Sequence, residues 1–164
     1  MITKKTAVLL SCALQLGAII AGADDGVLAS LNRFGIHLGL AFQLQDDYLD
    51  SYGDIAVFGK QTMQDIVDNK KTYMMLKAME LADNHTREEL LRLFSTSPQE
   101  ESGIKAKLNR VISIYDCLHL RQVAQQAIDD EFRKADAALA AISAPDDLKK
   151  PLADLKESLI GRKK

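Results

Sequence analysis

The sequence reads VLASLNRFGIHLGLAFQLQDDYLDSY from Val27 to Tyr52, and this segment decides the fold class. Apolar and small residues cover nearly every side of a helix until Gln43, which is typical of a central helix surrounded by others. Gly35 and Gly39 lie four residues apart and share one helix face, where a neighbouring helix could approach closely. We predict a long buried helix that Gly53 ends.

Three carboxylates, Asp46, Asp47 and Asp50, lie near the end of this helix. Their spacing places them on neighbouring turns, with Cβ atoms about 5–6 Å apart. A buried carboxylate needs a cation, and oxygen ligands without a partnering His or Cys suit a hard ion such as Mg²⁺. A helix end with solvated acids is the alternative interpretation. We expect His37 to be packed or hydrogen-bonded, because Mg²⁺ prefers oxygen ligands.

The rest of the chain predicts helices as well, because it has no alternating strand pattern and only three prolines. Further helices are expected at about residues 6–22, 65–82, 86–94, 100–114, 115–142 and 146–160. A capping-box pattern at Thr86 and Glu89 predicts the start of the third of these segments. We therefore expect an all-α fold, with residues 1–164 forming a single domain.

Composition excludes some function classes. The formal net charge of −2, with both signs mixed along the chain, offers no basic surface for nucleic acid. Cys12 and Cys117 lie far apart in apolar helical stretches without metal-ligand spacing. We therefore predict reduced core cysteines in a cytoplasmic protein.

The N-terminal segment has features of a secretory signal peptide. Lys4 and Lys5 precede an apolar run, and the small residues AGA end it at 21–23. Ser11 and Gln15 interrupt this run, which is also shorter than the roughly 20 residues of a membrane span. We therefore predict a buried helix of a bundle and no stable insertion into a membrane.

Three lysines could provide binding groups for phosphate: Lys5, Lys60 and Lys70. A diphosphate carries several negative charges, so its site needs cations on more than one side. Metal-bound carboxylates could supply one side and ammonium groups the other. Considered alone, a loop lysine such as Lys60 is most often simply exposed to solvent, and the alternative interpretation of Thr6 is that it only caps the N-terminus of a helix. The combination of acids and lysines indicates a diphosphate site.

Four segments resemble motifs of the trans-isoprenyl diphosphate synthases, the polyprenyl synthetase family that includes farnesyl and geranylgeranyl diphosphate synthases. FQLQDDYLDSYGD at 42–54 resembles the second aspartate-rich motif of this family, and Lys5-Thr6 resembles the Lys-Thr of the preceding helix. VFGK at 57–60 and DIVDNKKTYMM at 65–75 resemble the loop lysine and the D-I-x-x-N-K segment that follow. The resemblance implies the C-terminal portion of an isoprenoid synthase helical bundle, without its N-terminal helices.

The resemblance also implies a reaction, which is head-to-tail prenyl transfer from an allylic diphosphate to isopentenyl diphosphate in isoprenoid biosynthesis. It assigns Asp46 and Asp50 as Mg²⁺ ligands, with Asp47 binding the ion directly or through water. Lys5 and Lys60, as catalytic residues, would hold the allylic diphosphate and polarise its departure.

The same resemblance assigns roles to four further residues. Thr6 and Gln43, also expected to be catalytic, would present oxygen dipoles to the carbocation. Phe42 would line the isopentenyl side of the substrate site. Lys70 would support the loop or the phosphate region.

Two departures from the family pattern limit these expectations. In the family, the loop normally contains glycine between its Gly-Lys and the following Asp-Ile. In this chain the corresponding residues, 61–64, are QTMQ. The 164 residues also contain one DDxxD segment, at 46–50, while the Asp24-Asp25 pair is followed by GVL. We therefore expect a truncated prenyl diphosphate synthase that is incomplete as an isolated chain.

The alternative is a non-catalytic partner or regulatory subunit of a prenyl diphosphate synthase. The resemblance implies either a homodimer or pairing with a chain that supplies the first aspartate-rich motif. The expected ligands are allylic and isopentenyl diphosphates, with Mg²⁺ as the cofactor.

Overall fold

The computed structural model describes residues 6–53 and 63–160. These residues form eight helices and no strand, which confirms the all-α prediction. The helices are α1 (Val8–Ile20), α2 (Asp25–Tyr52), α3 (Gln64–Val67), α4 (Tyr73–Leu81), α5 (Asn84–Ser95), α6 (Glu101–Cys117), α7 (Leu120–Ala140) and α8 (Asp146–Ile160).

The described residues group into two compact units. The first contains the described residues up to Gln43 and from Ala127 onward, and the second contains those between Leu44 and Gln126. The expectation that residues 1–164 form a single domain therefore stays a prediction.

In the first unit, α1 packs closely on the first part of α2. A Cβ atom on Gly35 would lie 2.6 Å from the Cα of Ser11, and one on Gly39 would lie even closer to the Cα of Ala7. Both distances are too short for real Cβ atoms, so this helix approach requires glycine. The Ser11 hydroxyl also donates a hydrogen bond to Asn32 Oδ1 over 2.6 Å. The predicted close approach at the two glycines is confirmed.

The other side of α1 corrects the prediction of a buried helix. Ser11 and Ala18 are its buried residues, whereas Leu9 is 73% exposed, Leu16 54% and Ile20 87%. The physical reason is that α2 covers only the small-residue face of α1. Among the described helices, none combines the length and the apolar character needed to cross a membrane.

Buried side chains of α2 and α7 contribute to the core of the first unit. They include Leu31, Phe34, Leu38, Ile128, Phe132 and Ala135. His37 Nδ1 lies 2.8 Å from Glu131 Oε2, which confirms that His37 is hydrogen-bonded. Burial raises the pKa of Glu131, but hydrogen bonds from Lys134 and His37 outweigh this effect and lower the pKa below its ordinary value.

An apolar core fills the second unit, and α3 to α7 all contribute to it. Its buried residues include Ile66, Met74, Ala78, Leu90, Val111, Ile114, Tyr115, Leu120 and Ala124. Tyr48 and Tyr52 of α2 pack against this cluster. The end of α2, which carries the aspartates, is therefore anchored in the second unit.

The helix predicted at 65–82 is broken in the structure, so that prediction is wrong. Asn69 adopts a left-handed φ of 55° after α3. The N–H of Lys70 donates to the carbonyl of Asp65 over 2.9 Å, which turns the chain. Thr72 then caps α4, because its side chain accepts a hydrogen bond from a backbone N–H of the first turn.

Two other helix boundaries differ from the predictions. Asp83, rather than Thr86, caps α5: its carboxylate accepts a hydrogen bond from the N–H of Thr86 over 2.7 Å. The break predicted at 114–115 lies after Cys117 instead, where His119 has a left-handed φ of 54°. Apolar spacing continues on both sides of this break, so periodicity alone does not locate it.

Cys12 and Cys117 are both free and exposed, so the predicted core positions are wrong. Cys12 lies on the side of α1 that α2 leaves uncovered, and Cys117 is the last residue of α6. Apolar neighbours in the sequence do not bury a residue on the outer side of a helix.

Candidate functional site

Asp47 and Asp50 are both held by backbone N–H groups of the second unit. Asp47 is 5% exposed, and its Oδ2 accepts a hydrogen bond over 2.8 Å from the N–H of Tyr73, the first residue of α4. Asp50 Oδ2 accepts from the N–H of Asp65 over 3.0 Å. The backbone carbonyl of Asp50 also accepts from the N–H of Met63 over 2.5 Å. The segments that follow α2 therefore set the orientation of two of its carboxylates.

Asp46 differs from these two residues because its side chain is exposed. It lies four residues before Asp50, so the two carboxylates share one face of α2. Asp47 instead joins α2 to α4 through the N–H of Tyr73. The metal contacts of all three aspartates stay predictions, and Asp46 and Asp50 are the two that lie on one exposed or half-buried helix face.

The carboxyl group of Asp50 is easier to protonate than an ordinary aspartate. Burial raises its pKa to about 6. Backbone hydrogen bonds from Asp65 and Gln64 oppose this effect, and the negative charge of Asp65 adds to it. A cation next to Asp50 would favour the charged form and offset the cost of burial.

Lys70 contacts the turn that holds Asp50. Its Nζ donates to Asp65 Oδ1 over 2.7 Å and lies 3.5 Å from Asp68 Oδ2. The hydrogen bond with Asp65 raises the pKa of Lys70, which keeps it charged. Asp65 in turn donates its N–H to Asp50, while the support of the loop by Lys70 stays a prediction. The contact of Lys70 with phosphate stays a prediction as well.

These carboxylates fit a hard cation as part of a larger ligand set. Within residues 6–53 and 63–160, no group of three or more His, Cys, Asp or Glu side chains is arranged to hold a metal ion. Asp46 and Asp50 can supply oxygens from one helix face. Mg²⁺ normally completes its shell with waters and substrate phosphates, so two protein carboxylates are compatible with its chemistry.

Thr6 and Gln43 meet in the first unit. The Thr6 hydroxyl donates a hydrogen bond to Gln43 Oε1 over 2.9 Å. The structure thus brings together two of the four predicted catalytic residues. The other two, Lys5 and Lys60, lie outside the residues that the structure describes. The catalytic roles of all four stay predictions.

The first unit contains an apolar groove with a volume of about 480 Å³, and Thr6 is one of the residues that line it. Its lining residues are Thr6, Leu9, Leu10, Ala13, Gly39, Phe42, Leu155 and Leu159. Apart from Thr6 this lining is apolar, so the groove suits a hydrocarbon chain. The contribution of α8 was not predicted, although Leu155 and Leu159 lie four residues apart on an amphipathic helix, which is a signal for an apolar face.

Lys107 is a buried cation that the sequence reasoning missed. It is 4% exposed, and its Nζ donates to Asn69 Oδ1 over 2.5 Å and to the Thr96 carbonyl over 3.0 Å. Lys107 thereby stabilises the left-handed turn that follows α3. The available signal was its position four residues before buried Val111, on the apolar face of α6.

A family model described as polyprenyl synthetase matches residues 1–111. The chain belongs to the polyprenyl synthetase family. The matched region contains all the candidate site residues named in the sequence, from Lys5 to Lys70. The family resemblance inferred from the motifs is therefore confirmed.

Individual relatives agree with the family assignment. The chain is 34% identical over 146 residues to a short chain isoprenyl diphosphate synthase of Methanothermobacter thermautotrophicus, which covers 89% of this chain and 43% of that protein. A solved geranylgeranyl pyrophosphate synthase has a TM-score of 0.87 at 40% identity, over 99% of this chain and 50% of its own.

A second solved structure contains ligands. It is a polyprenyl synthase from Caulobacter crescentus CB15 in complex with calcium and isoprenyl diphosphate. Its TM-score is 0.81 at 31% identity, over 99% of this chain and 48% of that one. The chain therefore spans about half the length of the relatives that it matches.

Proposed function

We propose that this chain takes part in head-to-tail prenyl transfer, in which an allylic diphosphate and isopentenyl diphosphate give a longer prenyl diphosphate. The observation that carries the proposal is the pair Asp46 and Asp50 on one face of α2, with Asp50 held by the N–H of Asp65. The names of the polyprenyl synthetase relatives support the substrate class, since they are isoprenyl and geranylgeranyl diphosphate synthases.

The proposed reaction has three bond changes. The bond between the allylic carbon and the diphosphate oxygen breaks, and its electron pair leaves with the diphosphate. The double bond of isopentenyl diphosphate attacks the allylic carbocation and forms a carbon–carbon bond. A proton then leaves the adjacent carbon, which restores a double bond, and the released diphosphate accepts it.

The residues of the first unit would act on the hydrocarbon part of the substrate. The apolar groove would hold the prenyl chain, with Phe42 in its wall on the isopentenyl side. The hydrogen bond between Thr6 and Gln43 orients their side-chain oxygens before substrate arrives. Oxygen dipoles that are already oriented stabilise a developing charge without reorganisation during the reaction.

The charged residues would act on the diphosphate. Asp46 and Asp50 would hold Mg²⁺, and Lys5 and Lys60 would bind the phosphate oxygens. When bound, Mg²⁺ supplies positive charge that stabilises the departing diphosphate. The hydrogen bond from Tyr73 to Asp47 fixes the end of α2, so that the ligands keep their positions.

Binding of inorganic diphosphate with Mg²⁺ tests the site in the full chain. We expect calorimetry to detect binding, and we expect Asp46→Asn to weaken it by about 10-fold or more, because one charged ligand is lost. Asp146→Asn, a change at a fully exposed carboxylate of α8, is the matched control and should bind as the wild type does. Equal affinity of Asp46→Asn and wild type would contradict the proposal.

Turnover tests the completeness of the site. With geranyl and isopentenyl diphosphates, we expect no product from the 164 residues alone, because they contain one DDxxD segment. A second carboxylate set from another polypeptide segment would complete the diphosphate site. Efficient condensation by this chain alone would contradict that requirement.

A second candidate function is that of a non-catalytic partner of a prenyl diphosphate synthase. The exposed apolar side of α1 favours it, since this surface suits a protein contact. Asp46→Asn separates the two functions in any active preparation that contains this chain. Loss of turnover supports the catalytic function, whereas unchanged turnover supports the non-catalytic one.

A further inference from the structure

Lys107 is a buried cation to which the proposed function gives no role. Its ammonium group donates to two uncharged oxygens, Asn69 Oδ1 and the carbonyl of Thr96. The centroid of the Phe94 ring lies 5.7 Å from Lys107 Nζ. In the part of the chain that the structure describes, no carboxylate forms an ion pair with Lys107. Its positive charge is therefore buried without a negative partner.

Burial has a measurable effect on this ammonium group. It lowers the pKa of Lys107 below its ordinary value, because the charged form loses hydration when it leaves water. The neutral oxygens replace part of that hydration but supply no opposite charge. Buried charges in proteins are normally paired, so an anion beside Lys107 would offset the cost of its burial.

A cavity of about 350 Å³ lies beside Lys107, within the second unit. The turn after α3, the segment between α5 and α6, and the first part of α6 form it. Its volume falls within the range of about 300–1,000 Å³ that is usual for small-molecule sites. Lys107 is part of the lining and, at 4% exposed, is shielded from solvent by the residues around it.

The same lining offers further hydrogen-bond donors, from Ser97 and Gln99. Ser97 Oγ accepts a hydrogen bond from Asn69 Nδ2 over 3.0 Å, and among the described residues its own hydrogen has no acceptor. Gln99 Nε2 donates one hydrogen to the Ser97 carbonyl over 3.1 Å, and an amide nitrogen has a second one. An anion in the cavity could therefore receive hydrogen bonds from Lys107, Ser97 and Gln99.

Asp68 is the carboxylate in this lining, and its charge is partly offset. Its Oδ1 accepts a hydrogen bond from Gln64 Nε2 over 2.8 Å, and its Oδ2 lies 3.5 Å from Lys70 Nζ. The side chain of Asp68 is also 43% exposed, so water screens its remaining charge. Lys107, in contrast, is shielded from water, so its charge has the stronger effect on a ligand in the cavity.

The rest of the lining is apolar. Val67, Pro98 and Ile104 contribute to it. Polar donors and a short apolar wall in one cavity suit a small ligand with an anionic head and a few carbon atoms.

We propose that this cavity binds a phosphate group through Lys107, Ser97 and Gln99, either as inorganic phosphate or as the head of a small organic phosphate. A phosphate has at least three acceptor oxygens, which match donors that come from three directions, and lysine is a common partner of phosphate as a point charge. The proposal does not rest on the proposed function, because none of these three donors belongs to the aspartate site.

Calorimetric titration of the full chain with inorganic phosphate tests the site, without divalent metal and with EDTA present. We expect a dissociation constant of about 1 mM or lower. Lys107→Met should weaken binding by about 10-fold or more, because it removes the charge and keeps a side chain of similar length. Lys105→Met, at an exposed lysine two residues earlier in α6, is the matched control and should bind as the wild type does.

Ser97→Ala is a second test variant with less risk to folding, since Ser97 is exposed. We expect it to weaken phosphate binding by about 3-fold or more through the loss of one hydrogen bond. Circular dichroism checks that each variant is folded. Titration with butyl phosphate distinguishes the two ligand sources: tighter binding than that of inorganic phosphate supports an organic phosphate, and equal binding supports free phosphate.

Three results would overturn the inference. The first is the absence of phosphate binding by the folded wild-type chain, and the second is unchanged affinity in folded Lys107→Met. If Lys107→Met does not fold, unchanged affinity in Ser97→Ala is the contradicting result. Asp46→Asn should leave this metal-free binding unchanged while it weakens binding of diphosphate with Mg²⁺, so the inference and the proposed function fail independently.

Discussion

At the scale of one residue, Met63 shows how the residue type alters the conformational free energy of the turn before α3. It precedes α3 with a left-handed φ of 65°, a conformation that costs a residue with a Cβ atom about 1–2 kcal/mol. Its N–H also donates to the Asp50 carbonyl, so the turn belongs to the aspartate site. Glycine, which the family pattern has in this loop, would adopt this φ without that cost.

We therefore expect Met63→Gly to be more stable than Met63→Ala by about 1 kcal/mol in chemical denaturation. Both changes remove the methionine side chain, so their difference measures the backbone preference alone. The matched pair Gln64→Gly and Gln64→Ala, one residue later in α3, should show the opposite order, because alanine favours the helix. The same order at both positions would contradict the assignment of strain to Met63.

At the scale of helices, the contact between α1 and α2 depends on two glycines. Gly35→Ala and Gly39→Ala would each place a methyl group within 2.6 Å of backbone atoms of α1. We expect each change to lower the free energy of unfolding by about 1–3 kcal/mol, since the helices must separate. Thermal and urea denaturation followed by circular dichroism measure this loss.

Gly17→Ala is the matched control for this prediction. Gly17 lies inside α1, and a Cβ atom there would meet nothing within 4 Å. Alanine at this position should raise stability by about 0.5–1 kcal/mol through its helix propensity. Wild-type stability for Gly39→Ala would show that the two helices are not held at this distance in solution.

At the scale of the whole molecule, the pair of His37 and Glu131 should make stability depend on pH. The pKa of Glu131 is lowered in the folded state, so its charged form adds stability above its ordinary pKa of 4.5. That contribution is lost as the pH falls through the lowered pKa. Lys134 and His37 are the charged and titratable groups that contact this carboxylate.

Glu131→Gln tests this contribution. We expect it to lower the free energy of unfolding by about 1–2 kcal/mol at pH 7. The difference from wild type should shrink as the pH falls through the lowered pKa of Glu131, because the protonated carboxyl group is then neutral like the glutamine that replaces it. Asp146→Asn, at an exposed carboxylate, should show no comparable pH-dependent difference. A constant difference for Glu131→Gln between pH 3 and pH 7 would contradict the stabilising role of its charge.

The candidate site was predicted to different extents at its different residues. The spacing of Asp46 and Asp50 places them on one helix face, and the structure agrees because helix geometry is local. The sequence could not predict that Asp47 is buried while Asp46 is exposed, or that Asp47 bonds to Tyr73, since this depends on where α4 begins. Lys107 was missed for a related reason, because its partners come from distant segments.

The sequence by itself determined the all-α fold, the family and the positions of the aspartates along α2. These properties follow from apolar periodicity and motif spacing, which act over a few residues. Only the tertiary structure decided which faces are covered. It broke the helix predicted at 65–82, exposed the large side chains of α1 and turned Asp47 towards α4. Burial depends on contacts between segments far apart in the chain, which periodicity does not encode.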